Sequence, residues 1–524
     1  MKTWILFFCC LIFSVGYAQQ PVWDWAKGAG GPGNDVANVS YTSDNGYTFV
    51  SGHIADTVVF GQFGLPGTSP YEMFLAMYAP WGDCMWAVRC PYASLGTAIT
   101  GDQAGNCYVV ASNFTFDHLA KYDANGNLVW ITPFSSTPNA MRIGHVEFTA
   151  SNGIWVTGRL NSGSHVFGSD TLSGPVSFIA SYDANGIATG ATAIGVTGGF
   201  RSGSLTHDGS GNVFLCGNLD ATDTIGQFTC VESPLGSSDF CLVKLDPSLN
   251  VEWVETGSGS GEGSCIHACP DELGGCFVTG SVWYDYEVIQ GDTVYGSTPN
   301  IQGSCSFLAY FDSNGTLGWL LKGSVGVSYF NDIDMHNQVL WITGFTYSNT
   351  FSIGNLNMSN FIGNAGFVIG VDMSGTPQHL VPCPRAFCAS VNIDTAGGIY
   401  IAGYYKSPPV FESYTIPVFG SEDIFVAKLR TGAVGIADQT SENNISFVSF
   451  ANSETWQLQI GNSAMVNEPL TLELHDMTGR VVKVLPVNDL LTDVDCSDLA
   501  AGMYSWSVSG NNAQFFAAGK FVVQ

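Results

Sequence analysis

Leu119-Ala120-Lys121-Tyr122-Asp123-Ala124-Asn125-Gly126-Asn127-Leu128-Val129-Trp130 reads as strand, tight turn, strand. Alternation with a period of two argues for strand rather than helix. Asn125-Gly126 supplies residues that tolerate the positive φ of a tight hairpin turn. Asp123 can accept from the turn amides through its carboxylate. The same text returns as Phe178-Ile179-Ala180-Ser181-Tyr182-Asp183-Ala184-Asn185-Gly186. It returns again as Phe307-Leu308-Ala309-Tyr310-Phe311-Asp312-Ser313-Asn314-Gly315, with Trp319 beyond. Looser copies cover residues 74–78 with Trp86, 239–246 with Trp253, 367–375 and 423–430.

Ahead of each copy stands a polar turn and a β-rich run that ends in Gly, as in Asn45-Gly46-Tyr47-Thr48-Phe49-Val50-Ser51-Gly52. The closing positions are Gly52, Ala111, Gly158, Gly217, Gly280, Gly344 and Gly403, spaced 59, 47, 59, 63, 64 and 59 residues apart. Ala111 stands where Gly is expected. Units of this length suit one four-stranded blade each, somewhat above the roughly 40–50 residues of common propeller repeats. The surplus is assigned to a loop around Val58-Val59-Phe60-Gly61, Val166-Phe167-Gly168, Ile225-Gly226 and Phe351-Ser352-Ile353-Gly354. The expected fold is all-β: a seven-bladed β-propeller, with six or eight blades left open, followed by a small β-sandwich.

Lys2, the apolar run from Trp4 to Val15 and Gly16-Tyr17-Ala18 predict a secretory signal peptide over residues 1–18. Cys9 and Cys10 lie inside the apolar run, the wrong context for a lipoprotein cleavage site. No later run is long and apolar enough to predict a transmembrane segment. Trp23-Asp24-Trp25-Ala26 looks like a final strand without a hairpin partner, and the last unit stops at Arg430 without a final strand. Pairing the two halves would close the ring over residues 19–430 and remove its open edges. Trp23, Trp25, Trp130, Trp253 and Trp319 are expected at one repeat position, packing between blades. Residues 431–444 read as a linker, and 445–524 as the second domain.

Net charge is −28, from 44 acidic and 16 basic residues, so nucleic acid is excluded as a partner. Only 11% of residues are charged, against about 25% in typical globular proteins. That profile suits short strands and tight turns. Of 15 Cys, 13 remain after Cys9 and Cys10 are removed with the leader, and an exported chain permits disulfides. Cys84 with Cys90 and Cys383 with Cys388 are the short-loop candidates.

Cys265-Ile266-His267-Ala268-Cys269 has metal-ligand residue types, and alternation would put Cys265, His267 and Cys269 on one side of a strand. The compartment favours disulfides over zinc, and no metal or cofactor is predicted. The Asp-x-Asn-Gly turns lack the distal acid of a calcium loop. No nucleophile elbow and no phosphate loop is present, and the nine His are scattered. Asn34-Asp35 and Asn331-Asp332 are read as one recurring position at the start of a blade's first strand. With Arg201 and Glu262 of the Gly-rich inter-blade segments, they are the candidates for a ligand face.

The repeats resemble those of secreted β-propeller proteins of Bacteroidetes. The C-terminal residues Leu472-Glu473-Leu474, Asp476, Gly479-Arg480-Val481-Val482, Leu499, Gly502-Met503-Tyr504 and Lys520-Phe521-Val522-Val523 resemble the type A sorting domain of the type IX secretion system. Members carry a Pro-Asn-Pro-like opening, and Phe450-Ala451-Asn452 stands near its place. The resemblance implies Gly479, Arg480, Gly502, Tyr504 and Lys520 as sorting-motif residues, the type IX machinery as a partner, and secretion or display at the outer surface. The expected activity is non-enzymatic binding of a protein or glycan. The rivals are a polysaccharide hydrolase or lyase with its site in the channel, and a structural surface-layer component.

Overall fold

The structure is a computed structural model. It describes residues 20–431, apart from 68–70, 91, 150–152, 234–237, 297–302, 325, 360–362 and 413. Further on it describes 445–449, 455–460, 470–475, 480–487, 489, 491–499, 502–510 and 515–523. The leader expected over 1–18, most of the expected linker and Gly479 lie outside these residues. The chain divides into two compact units at Thr431/Gly432. Among the described residues there is no helix, hence none long and apolar enough to cross a membrane.

Among the described residues of the first unit, seven sheets share one plan, a four-stranded antiparallel meander. The innermost strands are Val36–Thr42, Leu95–Gly101, Met141–Phe148, Phe200–His207, Glu262–Pro270, Ser328–His336 and Ala386–Ile393. Each lies against the next, and the last lies against the first, so the sheets close a circuit. The outermost strands are Cys84–Cys90, Leu128–Pro133, Ala188–Gly195, Val251–Thr256, Leu317–Lys322 and Pro377–Pro384. The last sheet takes its outermost strand from the start of the chain. Val22–Ala29 pairs with Asp423–Arg430, setting Trp25 against Lys428 and Gly28 against Phe425. Sheets set radially about an axis in this way make a β-propeller.

One contact joins sheet to sheet. The outer-strand tryptophans Trp25, Trp86, Trp130, Trp253 and Trp319 each donate an indole N–H to a turn carbonyl of the following sheet: Pro80, Ala124, Ala184, Ser313 and Met373, at 2.9–3.1 Å. Each ring lies flat against the positive-φ glycine of that turn. A Cβ on Gly82, Gly126, Gly186, Gly315 or Gly375 would come within 2.7–2.9 Å of the indole. Between the third and fourth sheets both the tryptophan and the glycine are missing. Gly190 fills the tryptophan's register position in the third sheet, and the next turn carries Leu249 at φ +63. Trp23 departs from the expectation. A bulge separates it from Trp25, and it packs edge-on against Phe411 at 4.8 Å.

All seven innermost strands carry a β-bulge at one position: Asn38, Thr97, Gly144, Gly203, Ile266, Asn331 and Ala389 are the extra residues. The bulge explains the closing glycines. A Cβ on Gly52, Gly158, Gly217, Gly280, Gly344 or Gly403 would stand 1.9–2.4 Å from the carbonyl oxygen two residues before the bulge. In the second sheet Ala111 holds that position and pairs with Gly96, which lies close against Ser51 of the first sheet. The surplus length is not loose loop. It forms short hairpins such as Val58–Phe60 with Phe63–Leu65 and Asp223–Ile225 with Phe228–Cys230. Several bridge back to the preceding sheet's outer strand or its end: Gly30 to Val59, Gly195 to Ile225, Gly323 to Ile353. Among the described residues the second sheet has no such hairpin, and the spacing from its Ala111 to the next closing glycine is the short one, 47 residues.

One of the two disulfide candidates is excluded. Cys84 and Cys90 end the same strand, so at about 3.3 Å per residue they lie roughly 20 Å apart, beyond a disulfide's Cα reach of about 7 Å. Cys383 and Cys388 meet as thiols in one buried cluster between the sixth and seventh sheets. The bridge that forms is Cys216–Cys265, across the fourth and fifth sheets, with a Cα–Cα distance of 5.1 Å. The bulge at Ile266 puts Cys265 and His267 on opposite faces, so the expected one-sided Cys265, His267, Cys269 set does not exist.

The second unit holds a three-stranded sheet, Ile445–Ser449, Thr455–Ile460 and Leu491–Asp495, and a four-stranded one, Val481–Val487, Leu470–His475, Gly502–Gly510 and Phe515–Val523. Leu458 and Val494 of the first share a core with Leu472, Leu474, Trp506 and Val508 of the second. Tyr504 is buried in that core, and Arg480 is exposed. Gly502 pairs with Val523, and Lys520 with Ser505.

The tryptophan contact makes a direct prediction. Gly126→Ala adds a Cβ at 2.7 Å from Trp86 and a left-handed backbone disfavoured by about 1–2 kcal/mol. Trp86→Ala empties a buried site at about 3–5 kcal/mol. Both should lower the urea midpoint of the first unit, and the double variant should lose much less than the sum. Additive losses would show that ring and glycine do not act as one contact.

Candidate functional site

The inner strands surround a central cavity of about 690 Å³ to which all seven contribute. The residue after each bulge is Val39, Ala98, His145, Ser204, His267, Asp332 and Ser390. Two register steps further stand Tyr41, Thr100, Glu147, Thr206, Cys269, Asp334 and Asn392. The polar members gather on one arc. The rings of His145 and His267 meet edge to face at 5.4 Å, and Gly144 and Gly203 lie between their sheets in close approach. His267 Nδ1 lies 3.2 Å from Asp332 Oδ1. Asp332 Oδ2 accepts from the Ser390 hydroxyl and the Val391 amide, both at 2.9 Å. Ser40 donates to Ser390 at 2.9 Å. One layer along, Glu147 lies 3.6 Å from His207 Nδ1, and Asp334 accepts from the Ile393 amide at 2.8 Å.

Burial governs the charge state here. It pushes Glu147 up to about 8, with help from the Asp334 carboxylate. It pushes Asp334 up to about 7, with a smaller contribution from Asp332. It pulls His145 down to about 3, reinforced by His267. Near neutral pH the arc therefore offers a neutral imidazole at His145 and a largely protonated carboxyl at Glu147, with Asp334 close to its midpoint; a protonated carboxyl both donates and accepts hydrogen bonds. The order of groups does not make a nucleophile. A catalytic serine must hand its proton to histidine, whereas Ser390 donates to Asp332. Among the described residues no group of three or more His, Cys, Asp or Glu is placed to hold a metal ion.

The six ligand-face candidates separate. Asn331 and Asp332 line the central cavity; Asn331 is a bulge residue that donates to the Cys388 carbonyl at 2.8 Å. Asn34 and Asp35 are not their counterparts, because they precede the first inner strand instead of lying within it. Asn34 is exposed. Asp35 is buried and accepts from the Gly31 and Ala55 amides at 2.8 and 2.9 Å, with burial holding its carboxyl up at about 6. It staples a loop. Arg201 and Glu262 meet in a second cavity of about 440 Å³ between the fourth and fifth sheets, with Asn218, Asp220, Ser264 and Trp283. Arg201 is ion-paired with Asp220.

That cavity lies at the loop end of the ring, where each inner strand begins and its neighbour ends. One register step towards the loops from the closing pair, the third sheet has Arg142 opposite Arg159 and the fourth Arg201 opposite Asn218. The sixth has Tyr329 opposite Phe345, and the seventh Phe387 opposite Tyr404. These aromatic pairs, and the His145, Glu147, His267, Asp334 arc, are absent from the sequence candidates. The signal for both was the repeat: aligning the units on their closing glycines puts His145 with His267, and, once the turn one residue shorter in the sixth unit is allowed for, Glu147 with Asp334 and Tyr329 with Phe387.

No protein-family model matches the chain, and no curated protein matches it. Among solved structures it is similar to the Neurospora crassa Pan2 WD40 domain, at 10% identity and a TM-score of 0.40, over 76% of this chain and 89% of that one. It is similar to a polysaccharide lyase, an ulvan lyase, at 9% and 0.42, over 78% and 95%. It is similar to YCF48 bound to D1 peptide, at 9% and 0.40, over 80% and 100%. At these values the likenesses do not bear on what the chain does.

The channel carboxyls set a pH dependence. Glu147 titrates near 8 in the folded chain against an ordinary 4.5, so its contribution to stability is present below the ordinary value and lost as pH rises through the folded one. His145 has the opposite sign: held near 3 against 6.5, it loses stability as pH falls below 6.5. Glu147→Gln should therefore gain in thermal midpoint on the unmodified protein between about pH 5 and 8.5. A difference constant over that range would place an ionised Glu147 in the folded state.

Proposed function

We propose that this chain is an exported binding protein. Its first unit would be a seven-bladed propeller that takes a protein or glycan at its loop end and channel mouth. Its second unit would be a β-sandwich that directs export through the type IX system, leaving the protein secreted or at the outer surface. The observation that carries the binding reading is the paired cavities, one axial and one between the fourth and fifth sheets, both lined by hydrogen-bonding groups. A cavity of about 300–1,000 Å³ suits a small ligand or one or two units of a polymer. The sorting reading is supported by the sequence resemblance and by Tyr504 in the shared core.

The rival, a polysaccharide hydrolase or lyase, is favoured by one observation. His267 backed by Asp332 could act as a base, with the protonated Glu147 or Asp334 as an acid. Incubating the full chain with soluble polysaccharides and following both bound fraction and polymer length separates the two. Saturable binding with unchanged length, no new reducing ends and no unsaturated products is expected. Turnover abolished by His267→Ala would replace binding with catalysis.

A further inference from the structure

We propose that Trp283 and the cavity beside it form a subsite for a neutral polysaccharide, whose chain continues over the aromatic rings of the sixth and seventh sheets. This rests on the binding-protein reading and names the ligand for its loop-end surface. The rings form a continuous cluster in which Phe387 is buried and Tyr329, Phe345 and Tyr404 are half-buried beside the exposed Trp283. Trp283 meets Tyr329 at 5.1 Å, Tyr329 meets Phe345 at 4.8 Å, Phe345 meets Phe387 at 5.1 Å, and Phe387 stacks on Tyr404 at 4.6 Å. Tyr347 flanks the cluster and is 53% exposed; Trp283 is 36% exposed. The same register positions in the first five sheets hold Val36 with His53, Leu95 with Ser112, arginines, and Ser264 with Ser281. The fold therefore does not require aromatic side chains there. Tyr284, next to Trp283, keeps a left-handed backbone at φ +68 with its ring 54% exposed. A bulky residue rarely holds that conformation, and such strain collects at functional sites.

The chemistry selects a sugar. An aromatic face packs against the C–H face of a pyranose, while the hydroxyls at its edge need acceptors and donors. Trp283 supplies the face, and Asp220, Asn218 and Ser264 line the same cavity as hydrogen-bonding groups. An apolar protein partner would cover the Arg201–Asp220 pair and Asn218 without offering their polar atoms anything to bond. Charge selects a neutral chain over an acidic one. Arg201 is the cation of this cavity and is already paired with Asp220, and the whole protein carries a net −28, which repels a polyanion at low salt.

Affinity electrophoresis of the full chain tests this, in gels holding a β-glucan, a galactomannan or a xylan, and, as polyanions, alginate or heparin. Retardation by at least one neutral polymer is expected. Trp283→Ala should weaken it tenfold or more, and Tyr347→Ala by less. Trp81→Ala should leave it unchanged, because Trp81 is 54% exposed at the opposite, turn end of the ring. Circular dichroism melts of the three variants check that folding is kept. Binding that survives Trp283→Ala, or retardation by the polyanions alone, overturns the subsite while leaving a binding protein. Failure of every polysaccharide to retard the chain overturns it as well. Shortening of a bound polymer would overturn the binding reading itself.

Discussion

The ring depends on one repeated interaction, an indole laid on a glycine with its N–H bonded to the adjacent carbonyl. It joins the outer edge of one sheet to the turn end of the next, so it acts between sheets that share no ladder of backbone bonds. The N–H bond contributes about 1 kcal/mol net, and burial of the ring contributes more. Geometry matters beyond the energy. A flat ring against a residue without Cβ fixes the separation of two sheets, and five copies fix it around most of the circuit. The sixth sheet has His379 at the tryptophan's position, and the exception between the third and fourth sheets supports the rule. Gly190 removes the indole, Leu249 returns a side chain at the same φ, and Leu249 packs into the cluster that holds Trp155 and Val251.

The bulge is the second constraint, and it shapes the interior. An extra residue bends and twists the innermost strand and leaves one carbonyl aimed across at the second strand. A glycine passes that carbonyl without a Cβ to clash, and six of the seven second strands carry one there. The second sheet has Ala111 instead, and its partner Gly96 lies close against Ser51 of the first sheet. The bend also turns the residues after it towards the axis. His145, His267, Asp332 and Ser390 face the cavity for that reason, and not because of anything local to their own sheets.

Those two constraints explain what could be read without coordinates. The repeat, the hairpin turns and the borrowed final strand are local patterns with a fixed period, so the run from Leu119 to Trp130 was enough to find them. The function-bearing groups follow a different logic. A bulge flips every later side chain to the other face, so plain alternation put Cys265 and His267 together when they lie apart. The Cys216–Cys265 bridge joins neighbouring sheets at a separation of 49 residues, and no short-loop argument finds such a pair. Asn34-Asp35 and Asn331-Asp332 share letters but not register, and register decides which of them lines the cavity.

Charge state ties the interior to the ligand argued for the exterior. A chain at −28 has an obvious use for its carboxylates as solvated surface, yet burial holds a proton on Glu147 and raises Asp334 to about 7. A protonated carboxyl is a hydrogen-bond donor and acceptor without a field around it. It suits hydroxyl groups better than cations or basic side chains, which would demand its proton first. The axial cavity and the subsite beside Trp283 thus favour the same chemistry by different means. In the first, burial holds the proton on Glu147, and in the second the cation Arg201 is already matched by Asp220. An uncharged, hydroxyl-rich ligand asks neither site for a free counter-charge.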